Sequence, residues 1–258
     1  MIAAVLVTHN SAVFLPELLA SIDRQTLLPD IRLAVDDNST DTTRDLLERA
    51  GFTVLTTDSV SSKITTRIAQ NFVHAVTAAT ERGARIVVFG DHDDLWHPHR
   101  IAHQVQLMEA HPTVSMVASN GRTPEGSLRT TFPVPADFND LDSAAQWKYV
   151  AKHSVATGGA SAISPHRLST IAVPNGWLHD RWWSLRAVRE NSLWIDPELV
   201  IDYRVSPDQQ VGLDTAGQHN PVAWVWHKVR SLPTTIRKMK DIAGLLSETT
   251  PSKRFTEN

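Results

Sequence analysis

Asp91-His92-Asp93-Asp94 puts three carboxylates within four residues. Like charges that close repel one another, so a fold that gathers them at a concave site needs a cation there or keeps one of them protonated. Hard oxygen ligands of this kind suit Mg2+ or Mn2+, held by one or two carboxylates while substrate phosphates fill the remaining positions. The plainer alternative is a solvated acidic turn with Asp94 capping the helix that follows. Two further polar clusters, Thr8-His9-Asn10 and Asp36-Asp37-Asn38-Ser39, precede this one. An acidic residue in the second could accept hydrogen bonds from the ribose or base of a nucleotide; alternatively Asp36 or Asn38 closes an Asx turn.

Each cluster ends an apolar run of the kind that forms a buried strand. Ile2–Val7 is a continuous apolar run, Ile31–Val35 and Ile86–Phe89 repeat the strand pattern, and a shorter run covers about Phe52–Leu55. Between them, apolar residues recur at helical spacing from Phe14 to Ile22, from about Asp41, and from about Lys63 to Thr80, with Asp41 able to cap its own helix. Four strands alternating with helices predict an α/β fold with a mainly parallel sheet, flanked by helices. Ligands of such sheets bind outside the carboxyl ends of the strands, where the three polar clusters fall. No glycine-rich phosphate loop follows the first strand, which removes the main support for a dinucleotide or ATP site.

Composition narrows the classes further. The chain has 258 residues, 41% hydrophobic and 21% charged, ordinary values for a folded protein with a substantial core. It has no cysteine, which excludes a disulfide scaffold, a thiolate metal site and a thiol nucleophile. A net charge of -3 gives no reason to expect nucleic acid as a partner. The opening apolar run is seven residues long with no basic residue before it, neither a signal peptide nor a membrane span, so a cytoplasmic protein is expected. The eight tryptophans all lie between Trp96 and Trp226, leaving the first 95 residues without one.

After a helix expected beyond Trp96-His97-Pro98 and a strand at Val114–Ala118, a looser stretch with prolines at 124, 133 and 135 runs to about Asp142. A second block holds Thr157-Gly158-Gly159 leading into Ala160–Ile163, a helix over Asp180–Arg189, and short strands near Trp194-Ile195 and Leu199–Tyr203. His99 and His103 are spaced i, i+4, as zinc ligands on a helix are, yet no glutamate lies between them and a packed or solvated role fits better. From about Leu213 the chain turns basic: Lys228, Arg230, Arg237, Lys238 and Lys240 occur between Pro221 and Lys240 without an acid. Such a tail, with Trp224 and Trp226, predicts a helix that packs on its own domain, joins a homodimer, or lies at an anionic membrane surface.

The successive motifs Val7-Thr8-His9-Asn10, Val35-Asp36-Asp37-Asn38-Ser39-Thr40-Asp41 and Phe89-Gly90-Asp91-His92-Asp93-Asp94-Leu95-Trp96 resemble those of family 2 glycosyltransferases of the GT-A fold. With Asn71-Phe72 upstream, the Asp-x-Asp-Asp-x-Trp form is most similar to the bacterial rhamnosyltransferase-like branch. The resemblance covers about residues 1 to 212, with a nucleotide-sugar half at 1–110 and an acceptor or catalytic half at 111–212, leaving 213–258 as the tail. It implies a Rossmann-like GT-A sheet and an inverting transfer of a sugar from a nucleoside diphosphate sugar to a hydroxyl of a glycan or lipid-linked acceptor.

Motif by motif, the resemblance implies that Thr8, His9 and Asn10 line the nucleotide pocket and that Asp37 meets the base or ribose. Arg67 and Asn71 would lie near the nucleotide or diphosphate, Asp91 on the ribose side, and Asp93 on a Mn2+ or Mg2+ bridging the phosphates, with Asp94 in support. An inverting displacement also needs a base to deprotonate the acceptor, and His179-Asp180-Arg181-Trp182-Trp183 resembles the family's second acidic motif, which nominates Asp180 over His179. As a helix N-terminal residue Asp180 would also favour the macrodipole. Gly158 and Gly159 resemble the small-residue segment at the sugars, and Trp182 and Trp183 could offer aromatic faces to them. Tyr203-Arg204 resembles the closing Tyr-Arg pair, with Arg204 toward the diphosphate, although Ser206 stands where a histidine is usual.

Two other readings of the same residues stay open on this basis. One is a metal-dependent phosphoesterase or phosphotransferase using the acidic cluster. The other is a nucleotide-sugar binding module without chemistry, for which Asp180 has no purpose. The resemblance implies surface polysaccharide or cell-wall synthesis, at the inner face of the plasma membrane if the tail binds lipid.

Overall fold

The run Ile2–Thr8 forms strand β1 at the centre of a sheet, with Ala3, Ala4, Val5 and Leu6 fully buried, because helices cover both of its faces. The structure, a computed structural model, describes residues 1–122, 134–204 and 235–248. Helix α1 (Leu15–Asp23) follows, then β2 (Ile31–Asp36), α2 (Thr43–Arg49), β3 (Thr53–Thr56), α3 (Ile64–Glu81) and β4 (Ile86–Asp91). These strands lie in the order β3-β2-β1-β4, all parallel, in register Val5 with Leu33 and Val5 with Phe89. Each crossover helix turns its apolar face to the sheet: α1 buries Leu15, Leu18, Leu19 and Ile22, and α3 buries Ala69, Phe72, Ala75, Val76 and Ala79.

The second half returns through β5 (Leu95–Trp96), α4 (Arg100–Ala110), β6 (Met116–Arg122), α5 (Ser143–Lys152), β7 (Ser161–Ile163), α6 (His179–Arg189) and β8 (Leu193–Asp202). One eight-stranded sheet results, ordered β3-β2-β1-β4-β7-β6-β8-β5, with β7 antiparallel to both neighbours and β8 parallel to β6. This is the α/β fold with a mainly parallel sheet that the alternating pattern predicts.

Four elements differ from the sequence expectation, each for a nonlocal reason. Leu95-Trp96 is a strand rather than a helix start, because it pairs antiparallel with Ile201 and Asp202 of β8. The two strands expected near 194–195 and 199–203 are one, interrupted by register shifts against β6 around Pro197, where a bulge accommodates the missing N–H. Strand β6 runs on to Arg122, past the expected end at Ala118. Helix α5 has no counterpart in the sequence reading; the Asp142 carboxylate caps it by accepting the Ala145 N–H at 2.8 Å.

The chain forms two compact units, residues 1–210 and 211–258. Within the second, residues 235–247 form helix α7. Ser206, Trp224, Trp226, Lys228 and Arg230 lie outside the described residues. Among the described residues, no helix is long and apolar enough to cross a membrane.

Candidate active site

The carboxyl ends of β1, β2 and β4 lie side by side, since Thr8 pairs with Asp36 and Val7 with Asp91. That register brings the three polar clusters to one rim. Much of the polarity there holds the loops themselves. Asp36 accepts from Ser39 Oγ at 2.5 Å, Ser39 N at 3.3 Å and Thr8 Oγ1 at 3.4 Å, the Asx turn of the plainer reading. Asn10, in the left-handed region at φ 47°, takes Thr40 N–H on its Oδ1 at 2.8 Å and gives its own N–H to Ser39 Oγ at 2.9 Å. His9 Nδ1 lies 2.6 Å from the Asp37 carbonyl.

Asp37 and Arg67, both expected at the nucleotide, meet each other: Arg67 Nε donates to Asp37 Oδ2 at 2.6 Å. Asp37 is buried and Arg67 partly exposed, so the pair is a fixed, half-solvated feature of the rim. Asn71 is fully buried; its Oδ1 accepts from Thr57 Oγ1 at 2.5 Å, and its Nδ2 has no partner.

At the end of β4, Gly90 allows Leu6 and Trp96 to pack against the strand, since a Cβ there would lie 2.6 Å from one and 2.8 Å from the other. The chain then turns through Asp91, His92, Asp93 and Asp94, with Asp93 and Asp94 buried. No donor meets hydrogen-bond geometry at either Asp94 oxygen. Burial, then the like charges of Asp91 and Asp93, push the Asp94 carboxyl well above the usual range, opposed by the Arg100 guanidinium and the Arg204 backbone.

Arg100, which the sequence reading missed, is the fixed cation behind this cluster. It is fully buried, donates from Nη2 to the Phe89 carbonyl at 2.5 Å, lies 4.0 Å from the centre of the Trp96 ring, and is lowered to about 9 by burial against the pull of Asp94 and Asp91. The available signal was a pair of long polar residues, Arg100 and Gln104, at i, i+4 on the buried side of an otherwise amphipathic helix.

The 3-10 turn Gly158–Ala160 joins the acidic cluster to Asp180. A Cβ on Gly159 would stand 2.5 Å from Asp94 Oδ2 and 2.7 Å from Asp91 Oδ2, and one on Gly158 would stand 2.7 Å from His179 Nε2. The two glycines therefore make room for the protein's own carboxylates and imidazole. Gly158 N–H donates to Asp180 Oδ2 at 3.1 Å, and Arg181 N–H to Oδ1 at 2.6 Å. Burial, with a contribution from the like charge of Asp91, pushes the Asp180 carboxyl up to about 6 against these backbone bonds and the Arg181 guanidinium.

The aromatic residues expected to face sugar pack inward. His179 stacks on Phe72 with ring centres 3.7 Å apart and meets Phe89 and Trp183 edge-on. Both its ring nitrogens are buried without partners, and burial lowers it to about 3, so it sits in the core as a neutral imidazole. Trp183 is fully buried, stacked on Phe89 with Nε1 donating to the Ile171 carbonyl at 3.0 Å, so its face is closed to a ligand. Trp182 is 4% exposed and packs beside Trp177, which closes it likewise. Tight packing of large rings around α6 overrides the platform expectation.

Arg204 also turns toward the protein. Its Nε donates to the Asp93 carbonyl at 2.5 Å, its Nη1 to Glu17 Oε2 at 2.9 Å, and it lies over Phe14. It clasps the acidic turn to the start of α1. His99 and His103 pair with Glu198 and Asp196 of β8, each at 3.0 Å, as packed residues would.

Among the described residues, no group of three or more His, Asp or Glu side chains is arranged to hold a metal ion by itself. One or two carboxylates at this turn nevertheless fit a hard ion whose remaining ligands come from phosphate oxygens.

Residues 3–162 match the pattern of Glycosyl transferase family 2. The chain belongs to this family. No curated protein sequence matches it. Among solved structures, the family 2 chain is similar to S. aureus TarS 1-349 in complex with UDP (TM-score 0.56, 15% identity, covering 80% of this chain and 61% of that one). It is also similar to TarS 1-349 with UDP-GlcNAc (TM-score 0.60, 15% identity, 84% and 61%). A third likeness is Mycobacterium tuberculosis glucosyl-3-phosphoglycerate synthase with Mn2+, UDP and glucosyl-3-phosphoglycerate (TM-score 0.57, 17% identity, 80% and 73%). The chain thus spans about three fifths of the TarS 1-349 chains, and at these identities the likeness carries the fold alone.

Proposed function

We propose that this family 2 glycosyltransferase takes a sugar from a nucleoside diphosphate sugar to a hydroxyl acceptor with inversion, using Asp180 as the general base. The observation that carries the reading is the continuous path Asp91/Asp94–Gly159–Gly158–Asp180, which sets a raised carboxyl beside the acidic turn. The UDP, UDP-GlcNAc and Mn2+ bound in the similar structures support a nucleotide-sugar donor and a divalent ion. Asp93, with Asp91, would hold Mn2+ or Mg2+. When bound, the ion would supply charge stabilisation on the departing diphosphate.

The chain's own residues supply the rest. The Thr8, His9 and Asp37 rim receives the nucleotide, with the Arg67–Asp37 pair fixing its edge. Asp180, held by two backbone N–H groups, takes the acceptor proton as the hydroxyl attacks the anomeric carbon. A neutral His179 behind Gly158 excludes water from that wall. The rhamnosyltransferase-like motif form and the acidic Asp-x-Asp-Asp turn favour a bacterial surface glycan or lipid-linked sugar as acceptor, with residues 1–110 serving the donor and 111–212 the acceptor.

The test is turnover of a panel of nucleoside diphosphate sugars with Mn2+, comparing wild type with Asp180→Asn. A base of this kind contributes roughly 10²–10⁴-fold, so the variant should lose transfer by that factor while its nucleoside diphosphate affinity stays within a few-fold. Full activity in the variant would refute the assignment of the base. NMR of the product linkage, showing retention at the anomeric carbon, would refute inversion.

A further inference from the structure

The second unit carries a surface that the transferase reading does not use. At 3.6 residues per turn, Ile236, Met239, Ala243 and Leu246 of α7 fall within an arc of about 80°. All four are exposed, Ile236 at 48%, Met239 at 66% and Leu246 at 46%. Arg237 and Lys240, both exposed, run along one flank of this stripe, and Leu245 on the opposite side is buried. An apolar row bordered by cations is the pattern of a helix lying in a bilayer interface.

Charge distribution points the same way. Residues 211–258 hold seven Lys or Arg and four Asp or Glu, a net +3, whereas residues 1–210 hold 18 and 24, a net -6. The whole-chain value of -3 hides a cationic unit on an anionic protein. A second copy is a poorer occupant. A dimer through this unit would bring its net +3 against a second +3. Among the described residues of the first unit, the exposed large apolar side chains sit apart: Met1 and Leu27–Leu28 at the amino-terminal side of the sheet, Val13 and Val60 at the carboxyl side.

We propose that α7 docks the protein in the plane of an anionic lipid surface, with Ile236, Met239 and Leu246 entering the acyl boundary and Arg237 and Lys240 meeting lipid phosphates. The helix has 13 residues, long enough to lie in the interface and too short to span it.

The experiment is co-sedimentation of the full chain with phosphatidylcholine vesicles containing one third phosphatidylglycerol, against phosphatidylcholine alone. Binding should need the anionic lipid and fall steeply as salt rises. Ile236→Asp with Met239→Asp should reduce the bound fraction by tenfold or more. Arg237→Gln with Lys240→Gln should weaken binding about thirtyfold, from roughly 1 kcal/mol per cation. These side chains are exposed, so thermal midpoints should stay at the wild-type value. Absence of wild-type binding to the anionic vesicles would overturn the proposal, as would equal binding to neutral ones. So would a dimer in solution that the Asp pair abolishes without any vesicle binding. The readout needs neither donor nor acceptor, so its failure leaves the transferase reading untouched.

Discussion

Strands β3, β2, β1 and β4 run parallel, and each polar cluster of the rim follows directly on the strand that positions it: Thr8 to Asn10 after β1, Asp36 to Ser39 after β2, Asp91 to Asp94 after β4. In the other half of the sheet a few contacts between separate elements place the polar groups. Gly158 meets Asp180 across 22 residues, and Arg204 reaches Asp93 across 111 and Glu17 across 187. The aromatic content divides the same way: no tryptophan precedes Trp96, and Trp177, Trp182 and Trp183 are buried around α6. In the first half the loops after β1 and β2 share their hydrogen bonds, Asn10 with Ser39 and Thr40 and His9 with the Asp37 carbonyl, so several contacts hold each of them. The second half and the seam between the two depend on a few exclusive contacts.

The sharpest way to break this comparison is to remove one cation from each region. Arg100→Met would leave the buried Asp94 without the guanidinium that opposes its neighbouring like charges, and should lower unfolding free energy by about 3–5 kcal/mol in urea titration. Arg67→Met removes the partner of Asp37 at a partly exposed position and should cost about 1 kcal/mol. Equal losses would mean that the seam is no more exclusive than the rim.

Next in size is the glycine turn. Gly159→Ala should destabilise by about 1–3 kcal/mol, since its Cβ would collide with two carboxylates, and should weaken Mn2+-dependent nucleotide binding as well. Gly158→Ala meets only His179 and should lose stability without that second effect.

Asp180 supplies a pH signature. Its folded value near 6 lies above the ordinary 3.8, so its protonated form is the one that the fold favours. The stability it contributes is full below about 3.8 and is lost as pH rises through 6. Activity runs the other way, because a base must be ionised: kcat/KM should rise with pH to a plateau above about 6. Asp180→Asn should then gain stability at pH 7, on the order of 1–3 kcal/mol, while losing transfer. The smallest effect belongs to Glu17→Gln, which loosens an exposed ion pair to Arg204 and should change stability by less than about 1 kcal/mol.

What the sequence made legible follows the same division. The parallel half, its strands and its three clusters could be read from periodicity because the chemistry there is local. Asp180 was reached through a motif resemblance, and its contact with Gly158 has no local signal. Arg100 left only the faint signal of two long polar residues on a buried helix face, and its role as a cation becomes clear once the carboxylates in front of it are in place. Trp182 and Trp183 looked available as sugar platforms because ring burial depends on Phe72, Phe89 and Trp177, which no spacing connects. Leu95-Trp96 became a strand only because β8 lies beside it.

Calorimetric titration of a panel of nucleoside diphosphates, with and without Mn2+, into wild type, Asp93→Ala and Asp180→Asn separates the donor half from the base most directly. The account predicts Mn2+-dependent binding of at least one nucleoside diphosphate to wild type and Asp180→Asn alike, and its loss in Asp93→Ala. Binding that ignores Mn2+ and survives Asp93→Ala unchanged would contradict it.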